Sequence, residues 1–280
     1  MSPDIVLPSM DATLTTMTEA TDTPTIPSDV ICVEHFRKAY NETIAVAGLS
    51  FCVQEGQIVG MVGPNGAGKT TTMRAIAGIL PATRGTLRVA GHDIVHDSIA
   101  AKRALAYVPD DPKLFEALTV WEHLQFIASM YDITNFAPAG EQLLEQFELV
   151  EKRDTLAQEL SRGMRQKVAI ACAYLHNPRA LMLDEPMTGL DPRGIRTMKQ
   201  TVRQRAEAGA AVIISSHLLA LVEDLCTHLL IMNRGERLFY GTIDEARREF
   251  ARADGQSSLE DVFFHITEGG DPAPDVSSSS

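Results

Sequence analysis

The sequence predicts an α/β fold: a core with a mostly parallel sheet, an antiparallel β subdomain in front of it and a helical subdomain inserted into it. Three observations predict this. The apolar run Ile58-Val59-Gly60-Met61-Val62 leads into a Gly-rich loop at residues 63–70, and residues 69–79 read as a helix. Strand and helix candidates then alternate from residue 180 to residue 225, as parallel βαβ units do. Between these halves, residues 112–176 are mostly helical in pattern.

The elements follow in chain order. Residues 1–28 are rich in Thr, Pro and Asp without sustained periodicity, and are expected to form a disordered extension. Residues 30–62 and 84–95 carry short, β-rich, Gly-punctuated segments that suit an antiparallel sheet. Thr119-Val120-Trp121-Glu122 makes a capping box, and Val120, Leu124, Ile127 and Tyr131 then share one helical face. Residues 180–183 form an apolar strand. Asp191 caps the next helix with Pro192 at its first position. A strand at residues 211–215 precedes a helix striped by Leu218, Leu221, Val222 and Leu225. Residues 228–233 and 236–240 flank Arg234-Gly235 as a hairpin. Residues 29–245 thus form one domain with the helical subdomain at about 112–176. A C-terminal helical extension is expected at 246–268 and a disordered tail at 269–280.

Composition narrows the function. With 280 residues, 45% apolar and 22% charged, the chain is long enough for a substantial core. No apolar run approaches the ~20 residues that span a bilayer, and no signal peptide is legible at the N-terminus. The net charge of −12, with no concentrated basic run, disfavours nucleic acid as a partner. Cys32, Cys52, Cys172 and Cys226 are scattered without metal-ligand spacing, and are expected to be reduced, buried thiols of a cytosolic protein.

The loop Gly63-Pro64-Asn65-Gly66-Ala67-Gly68-Lys69-Thr70 fits G-x-x-x-x-G-K-[ST], which holds nucleotide phosphates. Gly66 and Gly68 let backbone N–H groups approach a phosphate closely. Lys69 brings a point charge to the β- and γ-phosphates, the Thr70 hydroxyl suits Mg²⁺, and Thr71 belongs to the same candidate site. The helix that follows turns its N-terminus toward the anion. Downstream, the strand at 180–183 ends in two carboxylates. Asp184 suits the metal that bridges phosphates; Glu185, facing differently, suits a water attacking the γ-phosphate. His217 follows another strand end, where ligands bind in open α/β sheets, and suits a γ-phosphate sensor. Ser161 either simply caps the helix after it or, with the Gly163 N–H, forms an anion site.

Taken together, these motifs resemble the ATP-binding cassette (ABC) family of ATPases over about residues 31–245. The resemblance implies a P-loop NTPase core, ATP and Mg²⁺. It matches residues 160–164 to the L-S-G-G-Q signature, Asp184-Glu185 to the second nucleotide motif, Gly189-Leu190-Asp191 to the D-loop and His217 to the switch histidine. It makes Tyr40 the aromatic that stacks on adenine, against the plainer reading of a generic tyrosine. Residues 107–112, 160–166 and 258–263 are similar to the branch that serves separate ABC-2-type permeases, largely exporters. In that family two ATP-binding subunits sandwich two ATP molecules, each site pairing one subunit's phosphate loop with the other's signature. One motif set in this chain therefore implies a second subunit, identical or not. The resemblance also implies an integral membrane permease as partner, with this chain cytoplasmic and peripheral on the cytoplasmic face of the cell membrane. Leu114, Phe115, Leu118 and Trp121 are either its docking residues or ordinary core.

The chain departs from the family pattern at three positions. Asp110 replaces the Q-loop glutamine, so an amide donor is lost although a carboxylate can still reach Mg²⁺ through water. Arg162 and Met164 replace a glycine and the glutamine of the signature. The alternative is a soluble cassette ATPase of repair or translation, but the chain has neither a long coiled-coil insertion nor a second cassette. A non-catalytic module is opposed by Asp184, Glu185 and His217, and a G-protein switch by the lack of N-K-x-D.

Overall fold

In this computed structural model, which describes residues 29–249, 259–260 and 263, two sheets share the load. The chain begins with β1 (Asp29–Tyr40) and β2 (Thr43–Gln54), then β3 (Ile58–Val62), α1 (Lys69–Ile76), β4 (Arg84–Val89) and β5 (His92–Asp93). It continues through α2 (Ser98–Arg103), β6 (Leu105–Val108), α3 (Val120–Met130), α4 (Ala137–Gln146) and α5 (Arg162–Leu175). Next come β7 (Ala180–Asp184), α6 (Pro192–Glu207), β8 (Ala211–Ser215), α7 (Leu219–Leu225), β9 (His228–Asn233), β10 (Glu236–Thr242) and α8 (Ile243–Glu249). The first sheet is antiparallel in the order β2-β1-β4-β5. The second runs β10-β9-β3-β8-β7-β6 and is parallel except where β10 returns beside β9.

Burial explains why β3, β7 and β8 read as unbroken apolar runs. Every residue of these strands is buried, because both faces of the sheet are covered. Leu181, Leu183, Val212 and Ile214 point to one side, into a core shared with α3, α4, α5 and α6. Ala180, Met182, Ala211 and Ile213 point to the other, into a core shared with α1 and the antiparallel sheet. A third cluster joins Val62 to α7, β9, α8 and Leu259.

The helix starts behave as their residues require. Thr119 and Glu122 form both halves of the capping box of α3. Asp191 Oδ1 accepts from the Gly194 N–H at 2.9 Å, with Pro192 at the first position of α6. The helices of the insertion, α3 to α5, fall within residues 112–176 and are joined through short 3₁₀ turns at Val150–Lys152 and Ala157–Glu159. Arg234 and Gly235 both take positive φ in the β9–β10 hairpin, as a tight two-residue turn demands.

Several expectations need correction. The helix after the Gly-rich loop ends at Ile76 rather than 79, because the chain turns through Gly78 at φ 66°. β3 leaves the antiparallel region for the parallel sheet. Leu218 is an exposed N-cap, and Leu219 takes the buried place on α7. The strand β6 and the short α2 are additional elements; four and six residues are too few to show a period. Cys32 and Cys52 are not free thiols. They stand opposite each other across β1 and β2, Cα atoms 4.3 Å apart, and form a disulfide. Twenty residues of separation in sequence hid a direct cross-strand pair. Cys172 and Cys226 are free thiols, Cys172 buried and Cys226 only partly so. The expected extension at 1–28 and tail at 269–280 lie outside the described residues, as does most of 246–268.

Gly60 shows how tightly α7 is seated on the sheet. A Cβ there would lie 2.3 Å from Val222 Cγ1 and 3.1 Å from Cys226 Sγ. Gly60→Ala is therefore expected to destabilise the domain by about 1–3 kcal/mol through overpacking. Urea unfolding checks this; an unchanged midpoint would mean that α7 shifts without penalty.

Candidate active site

The Gly-rich loop runs from the end of β3 to the first turn of α1 and bounds a cleft of about 460 Å³. Its other walls are Thr43, Ile44 and Ala45 of β2, and Asp110, Asp184 and Glu185. Gly68 must be glycine on two counts: its φ is 103°, and a Cβ would lie 2.8 Å from the Ala45 carbonyl oxygen. Lys69 Nζ folds back to donate to the carbonyls of Gly63 at 2.6 Å and Pro64 at 3.2 Å. Burial lowers the Lys69 pKa from its ordinary value, while the charges of Glu185 and Asp184 resist that shift. The result is a cation held against two carbonyls of the loop.

Asp184 is buried at the end of β7 and has a hydroxyl on each carboxylate oxygen. Ser215 donates to Oδ1 at 2.5 Å, and Tyr107 donates to Oδ2 at 3.3 Å. Burial, then the charge of Asp184, pushes the Tyr107 pKa up to about 12, so Tyr107 remains a donor. Glu185 departs from the strand with φ 48°, a left-handed conformation rare for a residue with a side chain. Its N–H donates to Ser215 Oγ at 3.0 Å, which helps to hold the turn. The turn sends the two neighbouring carboxylates to different partners. Glu185 Oε2 lies 2.8 Å from His217 Nδ1. Backbone strain of this kind collects at functional sites.

The structure brings Asn65, Gly66, Ala67, Gly68, Lys69, Thr70, Thr71, Asp110, Asp184 and Glu185 into one cleft. Gly63 and Pro64 join it through Lys69, and His217 through Glu185. Thr70 and Asp184 present oxygen donors to the same space, a set that fits a hard cation such as Mg²⁺. Tyr40, Ser161, Gly163 and Asp191 do not line the cleft. Tyr40 ends β1, just before the turn to Thr43, with Lys38 Nζ 4.9 Å from its ring centre. Ser161 Oγ accepts from the Met164 N–H at 3.2 Å and so caps α5. Gly163 lies against the D-loop, where a Cβ would sit 2.4 Å from the Gly189 carbonyl oxygen. Asp191 caps α6. Asp110 lines the cleft, but its Oδ1 accepts from Arg162 Nη2 at 2.8 Å.

Sequence reasoning missed Tyr107 and Ser215 as members of this site. Both stand near the C-terminal ends of the strands that flank β7, and Asp184 pairs directly with Ser215 in register. Reading polar residues at all such strand ends, rather than only those after a motif, would have found them. Tyr107→Phe and Ser215→Ala should each lower stability by about 1–2 kcal/mol, since each deprives a buried carboxylate of a donor. Chemical denaturation checks this. Unchanged midpoints in both would mean that Asp184 does not depend on these hydroxyls.

Comparison with known proteins identifies the family. The ABC transporter family matches residues 46–188. The chain is 32% identical over 240 residues to the ABC-type transporter ATP-binding protein EcsA of Bacillus subtilis (strain 168), covering 85% of this chain and 96% of EcsA. It is 34% identical over 214 residues to the Nod factor export ATP-binding protein I of Ralstonia nicotianae (strain ATCC BAA-1114 / GMI1000), covering 76% of this chain and 67% of that protein. Among solved structures, an ATP-binding subunit of an ABC transporter superposes with a TM-score of 0.81 at 31% identity, covering 85% of this chain and 99% of that one. The chain belongs to the ABC transporter family, as a subunit that binds ATP and hydrolyses it to drive transport.

Proposed function

We propose that this chain is the motor of an exporter whose permease is a separate, ABC-2-like membrane protein, and that it acts on the cytoplasmic face of the cell membrane as one of two ATP-binding subunits. The observation that carries the proposal is the division of the motifs. The cleft gathers the phosphate loop, Asp184, Glu185 and, through Glu185, His217, whereas Ser161 and Gly163 face elsewhere. A signature that does not line its own chain's cleft suits a role at a partner's ATP. The names of relatives support export: one serves Nod factor export, and another, from Haemophilus influenzae, lipopolysaccharide export. No helix among the described residues is long and apolar enough to cross a membrane, which accords with a separate permease.

In this reading the loop from Gly63 to Thr71 holds the phosphates of ATP, and Lys69 faces the β- and γ-phosphates. Thr70 and Asp184 would hold Mg²⁺, which when bound neutralises charge on the phosphates. Glu185 takes a proton from the attacking water, and His217 orients its carboxylate. Tyr40 stacks on adenine beside Ile44. Ser161 and Gly163, with Asp191 nearby in sequence to the D-loop contact, complete the second subunit's site. ATP contacted from both subunits favours the closed pair, and loss of the γ-phosphate removes that preference. For the permease contact, Phe115 is the strongest of the four candidates. It is exposed beside exposed Phe126 at 5.2 Å between ring centres, whereas Trp121 packs on Phe136 and under Arg153.

Glu185→Gln should retain ATP binding, reduce turnover by about 10²–10⁴-fold and accumulate a nucleotide-bound dimer. Near-normal turnover would remove Glu185 from the base role. Lys69→Ala should weaken ATP binding itself, read by a fluorescent nucleotide. The lowered Lys69 pKa also sets a pH dependence. Bound phosphates raise that pKa, so affinity is full below the free protein's value and falls as pH rises through it. A titration of ATP affinity from neutral to alkaline pH that stays flat would separate Lys69 from the phosphates. Isolation from native membranes after mild cross-linking tests the partner: a multi-span protein supports the exporter reading, and recovery only as a soluble protein supports the soluble ATPase.

A further inference from the structure

Two of the departures from the family pattern meet in space. Asp110 and Arg162 lie 52 residues apart in sequence, yet Arg162 Nη2 donates to Asp110 Oδ1 at 2.8 Å. Asp110 lines the nucleotide cleft, and Arg162 is the first residue of α5. The stem of Arg162 also lies over the D-loop, since a Cβ on Gly189 would sit 3.5 Å from its Cγ and Cδ. One side chain at the start of α5 therefore bonds to the segment before α3 and lies beside the segment after β7. The neighbouring cations are engaged elsewhere: Lys113 pairs with Asp111, and Arg165 donates to the Leu160 carbonyl at 2.8 Å.

We propose that Asp110 and Arg162 form a charge clamp that positions the signature helix against the nucleotide cleft. The clamp has two effects. It ties α5 to the core by an ion pair where the family's glutamine and glycine offer no charges. It also turns the Asp110 carboxylate to a guanidinium rather than to the metal. The cleft already carries Asp184 and Glu185 and must accept a polyanion beside a single lysine. A third unpaired carboxylate would repel phosphate, and Arg162, which does not lose its charge, offsets it. Each side chain is about half exposed, 47% and 48%, so the clamp is weak enough to open and sensitive to salt. Asp110 and Arg162 are thus positioning residues, and the expected Mg²⁺ role of Asp110 gives way to this pairing. The inference rests on reading the cleft as the ATP site, and does not depend on the second subunit.

The test uses the full chain with Asp110→Asn, Arg162→Met, the double variant, and the charge-swapped Asp110→Arg/Arg162→Asp pair. Two readouts are taken: amide hydrogen exchange over residues 110–118 and 161–165 without nucleotide, and ATP affinity. Each single change should speed exchange in both segments by about two- to five-fold, and the swapped pair should recover most of the protection. Wild type in 1 M salt should resemble the single variants. Arg162→Met should also weaken ATP by about two- to five-fold, and adding Asp110→Asn should restore it, because the exposed carboxylate is then gone. Exchange at the wild-type rate in both single variants, or a double variant no better than Arg162→Met, would overturn the clamp. Failure of wild type to bind ATP would instead unseat the nucleotide-site reading and leave the exchange comparison to decide the ion pair.

Discussion

The in-register parallel pairing of β3, β8 and β7 is the constraint on which the site depends. It brings the end of β3, where the phosphate loop begins, to the same sheet edge as Asp184 and Ser215. A slip of one residue would turn the alternating sets Leu181/Leu183 and Ala180/Met182 into each other's cores. The two cores differ in what fills them, helices on one side and the antiparallel sheet with α1 on the other. Register is therefore enforced by packing on both faces, and the positions of Lys69, Asp184 and Ser215 are inherited from it.

At that edge the protein gives two adjacent carboxylates different partners. Asp184 keeps the strand conformation and is held by two hydroxyls. Glu185 leaves it through a left-handed turn and meets His217. The strain at Glu185 is local, and Ser215 connects the two residues: its hydroxyl donates to Asp184 and accepts from the Glu185 N–H. Neighbours in sequence thus take different surroundings while sharing a contact to one hydroxyl.

The helical subdomain stands on different footing. Its own core is continuous with one face of the sheet through Leu124, Leu144, Val168 and Leu181. Its edge toward the cleft, by contrast, meets the core through an exposed ion pair and a close approach of Gly163 to the Gly189 carbonyl. The base of the subdomain is thus well packed, while this edge is held by few and more exposed contacts.

Much of this was determined by the sequence itself. The phosphate loop, the apolar strand ending in Asp184-Glu185, and the caps at Thr119, Ser161 and Asp191 are local features. Each is set by backbone geometry within a few residues and so is legible from a few residues. The two-sided burial of β7 and β8 was legible for a related reason, because continuous apolar runs leave no polar face to expose. What only the tertiary structure decided are pairings across long separations. The disulfide of Cys32 with Cys52, the hydroxyls of Tyr107 and Ser215 on Asp184, and the clamp of Asp110 with Arg162 all join segments whose residues carry no local period. β6 was missed because four residues are too short to display one. A contact between distant segments depends on register and crossing geometry, which arise only when both cores are packed.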